Sequence, residues 1–93
     1  MLFQLGRTVA TPAALQTMEN NGVRPQYLLL RHVQGDWGKV SEHDAAVNDA
    51  AVNDAAVKDG SRILSVYEVF GQDVWVITEA DRSVSTILLP SEY

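Results

Sequence analysis

Cysteine is absent from the 93 residues, which excludes disulfides, thiolate metal ligands and a cysteine nucleophile. Histidine occurs only twice, and neither copy has a partner at i+4 or a nearby cluster of ligand-type side chains, so no metal site is expected. Glycine spacing does not approach a phosphate-binding or dinucleotide-binding loop, and no serine sits in a GxSxG elbow. Neither a cofactor nor a linear catalytic motif is therefore expected. No run approaches the roughly 18 apolar residues that a membrane-spanning helix needs. The N-terminal MLFQLGRTVATP lacks a charged segment ahead of a long apolar stretch, so neither membrane insertion nor secretion is expected and a cytoplasmic location is. Basic residues are also scarce, seven against twelve acidic, for a formal net charge of -5. That balance repels phosphate backbones, which argues against direct duplex nucleic-acid binding and suits a protein partner with a basic surface.

What is present is enough apolar material, 46% of the chain, for one globular domain spanning residues 1-93. LFQLGRTV at 2-9 alternates loosely and reads as a short first strand, with Phe3, Leu5, Arg7 and Val9 on one side and Gly6 weakening the other. Thr11-Pro12 is a helix start, with Leu15 and Met18 expected to point inward and Asn20-Asn21-Gly22 as the stop. Pro25 opens a second helix, PQYLLLRHVQ, whose inward face is expected to carry Tyr27, Leu30 and Val33, with Gly35 ending it. Near its C-terminal end the helix dipole should favour a protonated His32. RILSVYEVF, DVWVITEA and VSTILLP are rich in β-branched and aromatic residues and read as an antiparallel meander, its middle strand covered on both faces. The expected class is α+β, a short N-terminal strand and two to three helices packed on a C-terminal antiparallel sheet of three to four strands.

Between helices and meander lies a tandem repeat. Ser41 with Asp44 three residues on resembles an N-terminal cap. AAVND then occurs at 45-49 and again at 50-54, followed by AAVKD at 55-59. Alanine favours a helix, but a five-residue step advances an α-helix by a net of about 140°, so Val47, Val52 and Val57 share no stripe. The period is too short for a solenoid. A local duplication in an exposed helix fits better.

Two short stretches are candidate contact sites. Gly35 and Gly38 bracket Asp36-Trp37, which places the tryptophan on a tight turn. Its simplest role is a lid on the core, and its alternative an exposed interface anchor. Glu79, Asp81 and Arg82 gather between the last two strands, as a hairpin end in which Arg82 pairs with one acid or as a recognition patch.

GDWG at 35-38, Asn48-Asp49, RILSVY at 62-67, VWVITEADRS at 74-83 and TILLPSEY at 86-93 resemble a family of small proteins carried by plasmids and integrative elements of proteobacteria. The resemblance runs from about residue 24 to the C-terminus, and the tandem copy between Asn48 and Gly60 departs from it, as one inserted AAVND unit. It implies a setting and no reaction. Small acidic proteins in that setting often bind host defence proteins, as anti-CRISPR and anti-restriction proteins do. The expected function is accordingly a non-enzymatic binder of a host protein complex, with Asp36, Trp37, Glu79, Asp81 and Arg82 as contacts, the complex itself being one that handles nucleic acid. An alternative is a metal-independent ribonuclease, since helices followed by an antiparallel sheet resemble barnase-like and toxin endoribonucleases. His32 would then be the general acid or base, Arg31 or Arg82 would stabilise a phosphorane, and Tyr67 or Thr86 would orient the phosphate. A further alternative is a homodimer paired through the strand ending in TILLPSEY, provided that this strand forms the sheet edge.

Overall fold

The computed structural model describes residues 1-53 and 61-93; the repeat copies beyond Asn53 lie outside the described residues. The order is β1 (Arg7–Ala10), α1 (Pro12–Asn20), α2 (Pro25–Val33), α3 (Glu42–Asn53), β2 (Ile63–Val69), β3 (Gln72–Thr78) and β4 (Val84–Leu88), closed by a 3-10 turn at Pro90–Glu92. This is the expected α+β class. No described helix is long and apolar enough to cross a membrane.

The four strands lie in the order β1-β4-β3-β2, so β3 is central as its two apolar faces required. β2 pairs antiparallel with β3 and β3 with β4, but β1 runs parallel to β4, and the sheet is mixed rather than wholly antiparallel. The cause is connectivity. A parallel neighbour needs a long crossover, and the three helices with the β2-β3 hairpin supply one between β1 and β4. The same pairing makes β4 an interior strand, so the TILLPSEY strand offers no edge to a second copy. β1 is also shorter than the alternation suggested. Gly6 turns at φ +65° against the 82-83 backbone, where a Cβ would come within 2.4 Å of the Arg82 and Ser83 carbonyl oxygens. Phe3 and Leu5 therefore precede the strand.

One face of the sheet receives α1 and α2. Ala14, Met18 and Leu28 pack on Tyr67, Val69, Val74, Val76 and Ile87. Thr11 caps α1 by accepting from the Ala14 N–H at 3.2 Å, and its hydroxyl donates at 2.7 Å to Glu92 Oε1, which also accepts from the Leu89 N–H. The C-terminal turn is thereby tied to the first helix.

Both helices are rotated relative to the sequence expectation. Leu15, Tyr27 and Leu30 are 41%, 58% and 53% exposed, while Ala14 with Met18 and Leu28 with His32 and Val33 face inward. In each helix the buried pair is spaced i, i+4, the facing pair of an α-helix. For α2 the reason is His32, whose ring is held by a chain of buried hydroxyl groups on the sheet and so sets the helix phase.

α3 begins where the Ser41 cap was expected, the Asp44 N–H donating to Ser41 Oγ at 3.1 Å. It lies along the outer edge of β2. There the Asn48 amide donates to the Leu64 carbonyl at 2.7 Å and accepts from the Leu64 N–H at 3.1 Å, replacing a missing neighbour strand. Two residues on, the Val66 N–H donates to the Trp37 carbonyl and the Lys39 N–H to the Val66 carbonyl. The edge is thus closed against further pairing at Leu64 and Val66. Asn48 is buried and Asn53, its equivalent in the second AAVND unit, is exposed. Replacing Asn48 by alanine is expected to cost about 2 kcal/mol, because two backbone groups lose their partner, and Asn53→Ala less than about 0.5 kcal/mol. Urea denaturation of the two variants measures the contrast.

Candidate functional site

His32, at the end of α2, is the imidazole that the fold draws into the core, and three strands contribute the hydroxyls around it. Its Nδ1 lies 2.5 Å from Ser65 Oγ on β2 and its Nε2 lies 2.9 Å from Thr78 Oγ1 on β3. Thr78 Oγ1 is 2.7 Å from Ser85 Oγ on β4, and the Ser85 hydroxyl donates at 2.8 Å to the Leu5 carbonyl. A carbonyl can only accept, so the proton order along the chain is fixed. Ser85 donates to Leu5, Thr78 to Ser85, the His32 Nε2–H to Thr78, and the Ser65 hydroxyl to His32 Nδ1. The chain places a proton on Nε2, and the low pKa that burial gives the ring leaves Nδ1 unprotonated, so the imidazole is neutral. Burial, with a smaller contribution from the Arg82 charge, lowers its pKa to about 4. The protonated form that the helix end alone would favour is overridden by desolvation. All four side chains are fully buried.

Around this ring the N-terminal segment forms a lid. Phe3 meets His32 edge-on at 5.1 Å and stacks on Trp37 at 6.2 Å, and Trp37 meets His32 at 5.9 Å. Trp37 is 6% exposed, and its Nε1–H donates to Asp49 Oδ1 at 2.9 Å. It occupies the core position that its lid role requires, with Asn48-Asp49 of the first repeat unit joining it to α3. On the other side Arg82 Cζ sits 6.0 Å above the Phe3 ring. Phe3 thus links the Asp36-Trp37 turn to the hairpin end at 79-83, two segments far apart in sequence.

Each sequence-selected residue has a definite local task. Asp36 accepts from Arg31 Nε at 2.6 Å and from the Gly38 N–H at 3.2 Å, and the Arg31 hydrogen bond holds its carboxyl below the usual range. The Arg31 guanidinium in turn lies 4.4 Å over Tyr67. Asp81 Oδ1 accepts from the Ser83 N–H at 2.9 Å, and its bonds to Ser83 likewise lower its pKa. Arg82 does not pair with Glu79 or Asp81. Its Nη1 donates instead to the carbonyls of Ser61, Glu79 and Ala80 at 3.1, 3.0 and 3.1 Å, because its left-handed backbone, φ +60°, turns the side chain back over the hairpin end. Glu79 is exposed, and its carboxylate accepts no hydrogen bond among the described residues.

The residues required for ribonuclease chemistry do not meet in an open cleft. His32 is sealed, Arg31 is held by Asp36, and Tyr67 donates its hydroxyl proton to the Asp36 carbonyl at 2.6 Å, with burial raising its pKa to about 12. Thr86 pairs with Ile77 and lies on the sheet face opposite Thr78 and Ser85. No group of three or more potential metal-ligating side chains occurs among the described residues.

Ser65, Thr78, Ser85 and Phe3 were given no functional role by the sequence, and Asn48 entered only through the Asn48-Asp49 string. A signal existed for three of them, because strand alternation puts Ser65, Thr78 and Ser85 on the inward face, where a polar side chain needs a buried partner. Nothing in the sequence identified His32 as that partner. Comparison of the chain with protein-family models, with curated proteins and with solved structures finds no match in any of the three.

Proposed function

We propose that this protein is a non-enzymatic interaction module that binds and modulates a host protein complex on behalf of a mobile element, in the manner of anti-CRISPR or anti-restriction proteins. The observation that carries this reading is the sealed His32 relay. An imidazole with both nitrogens satisfied inside the core offers a substrate neither a base nor an acid. What remains for function is the exterior, whose net charge of -5 favours a partner with a basic surface. Asp36, Glu79 and Asp81 are the exposed carboxylates of that contact, with Trp37 and Arg82 holding the two segments in place behind them. The resemblance to plasmid and integrative-element proteins supplies the setting.

A plasmid-transformation assay in cells with an active CRISPR or restriction system tests this reading. Expression of the protein is expected to raise transformation, and Glu79→Lys to reduce that gain while leaving the fold intact. Failure to protect against any defence system, together with no complex co-purifying, would count against it. Incubated with structured and single-stranded RNA, the purified protein is expected to cleave neither. Cleavage abolished by His32→Gln would restore the ribonuclease alternative.

A further inference from the structure

The two edges of the sheet are treated oppositely. At β2 the outward backbone groups of Leu64 and Val66 are taken by Asn48, Trp37 and Lys39. At β1 the inward bonds are set by the Arg7 N–H to Ser83 and the Thr11 N–H to Ile87, in a parallel pair in which alternate residues face the neighbour. The N–H and C=O groups of Thr8 and Ala10 consequently point away from β4. Among the described residues they have no partner.

This open edge is not bare. A groove of about 180 Å³ runs beside it, walled by Thr8, Val9 and Ala10 on the strand and by Pro25, Gln26 and Leu29 of α2. Pro25 is shared with a larger cavity of about 500 Å³ between the helices, where Leu15, Val23 and Arg24 contribute to the wall. The groove's neighbours on the chain are cationic. Arg7 precedes Thr8 and Arg24 precedes Pro25; both are exposed, and neither has a carboxylate at ion-pair distance among the described residues. Glu19 is the one acid among the lining residues of the two cavities.

We infer that β1 is a docking edge for an extended acidic segment of a partner protein, which adds as a fifth strand. Its backbone pairs with Thr8 and Ala10, an apolar side chain enters the cavity beside Pro25 and Leu15, and its carboxylates meet Arg7 and Arg24. The backbone pairing demands a strand, and the two cations beside the groove, on a protein of net charge -5, select its charge. This surface uses none of the residues assigned to the acidic contact, so either can fail without the other.

The test uses the full chain and two short blocked peptides, one alternating valine with aspartate around a single leucine, the other with lysine for aspartate. Amide spectra and hydrogen exchange are expected to show the aspartate peptide shifting and protecting Thr8 and Ala10, with the lysine peptide at least about tenfold weaker. Thr8→Pro removes only an outward N–H and should weaken binding by about tenfold or more with an unchanged melting temperature. Arg24→Glu should lower affinity for the aspartate peptide and raise it for the lysine peptide, a reversal that a folding defect would not produce. The inference is overturned by no response at Thr8 and Ala10, by equal response to both peptides, or by binding indifferent to Thr8→Pro. It is equally overturned if Thr8 and Ala10 become protected in the free protein as concentration rises, because a second copy would then hold the edge.

Discussion

Lowering the pH from about 7 to about 5 is expected to cost the folded protein about 2 kcal/mol through His32 alone. The folded-state pKa is lowered to about 4 from an ordinary 6.5, so the unfolded chain binds the proton first and stability falls as the pH drops below about 6.5. The loss is complete below the folded pKa, where it reaches about 3 kcal/mol. Asp36, Asp81 and Glu92 also have lowered pKa values, through their hydrogen bonds to Arg31, Ser83 and Leu89 respectively. Their contributions are present above the ordinary carboxylate range and are lost only as the pH falls through and below it, so the window from about 6.5 to about 4.5 belongs to His32. His32→Gln cannot titrate and should flatten the stability profile across that window, whatever its overall cost. Urea midpoints at closely spaced pH values give the comparison; an unchanged slope in the variant would show that another group causes the loss. His32→Ala should cost about 3 kcal/mol or more, since it empties the space beside Phe3 and Trp37, leaves the Ser65 hydroxyl without its acceptor and takes from Thr78 Oγ1 its donor.

Gly38→Ala is expected to be as damaging, at about 3 kcal/mol, and for a different reason. Gly38 has φ +73°, and a Cβ there would lie 1.9 Å from the Val66 carbonyl oxygen. That oxygen belongs to the backbone and cannot swing aside. The bridge closing the β2 edge must open, taking with it the Lys39 and Val66 hydrogen bonds and the seat of Trp37. Gly22 is the internal control. It has φ +68°, but a Cβ added there would meet nothing within 4 Å, so Gly22→Ala should show backbone strain alone, about 1 kcal/mol. If the two variants were equally stable, the close approach at Val66 would not matter.

Much of the fold was legible because strands and caps are local. The β-branched runs became β2, β3 and β4, and Thr11, Pro12, Pro25 and Ser41 start their helices as their chemistry dictates. What was not legible depends on contacts between distant segments. The parallel partner of β1 could not be read from four residues that carry no hairpin. The helix faces departed from expectation because Leu15, Tyr27 and Leu30 are more apolar than Ala14 and His32, yet His32 has hydroxyl partners at positions 65 and 78 that only the folded chain supplies. The candidate site shows the same division. Asp36, Trp37, Asp81 and Arg82 were identifiable from turn chemistry. That Arg82 binds carbonyls rather than acids, and that Phe3 joins both segments, follows from tertiary packing. Several of the short motifs in the sequence prove to be joints of the fold: Gly38 at β2, Asp49 on Trp37, Glu92 on Thr11.

The most direct test of the proposal that the protein acts through its exterior is the titration of the His32 ring itself, followed by nitrogen and carbon chemical shifts of the imidazole. A ring that stays neutral with its proton on Nε2 down to about pH 4, and does not respond to added RNA, is the expected result. A midpoint near 6.5, or a ring whose tautomer changes when RNA is present, would mean that His32 reaches solvent and substrate, and the site would then have to be sought inside the protein.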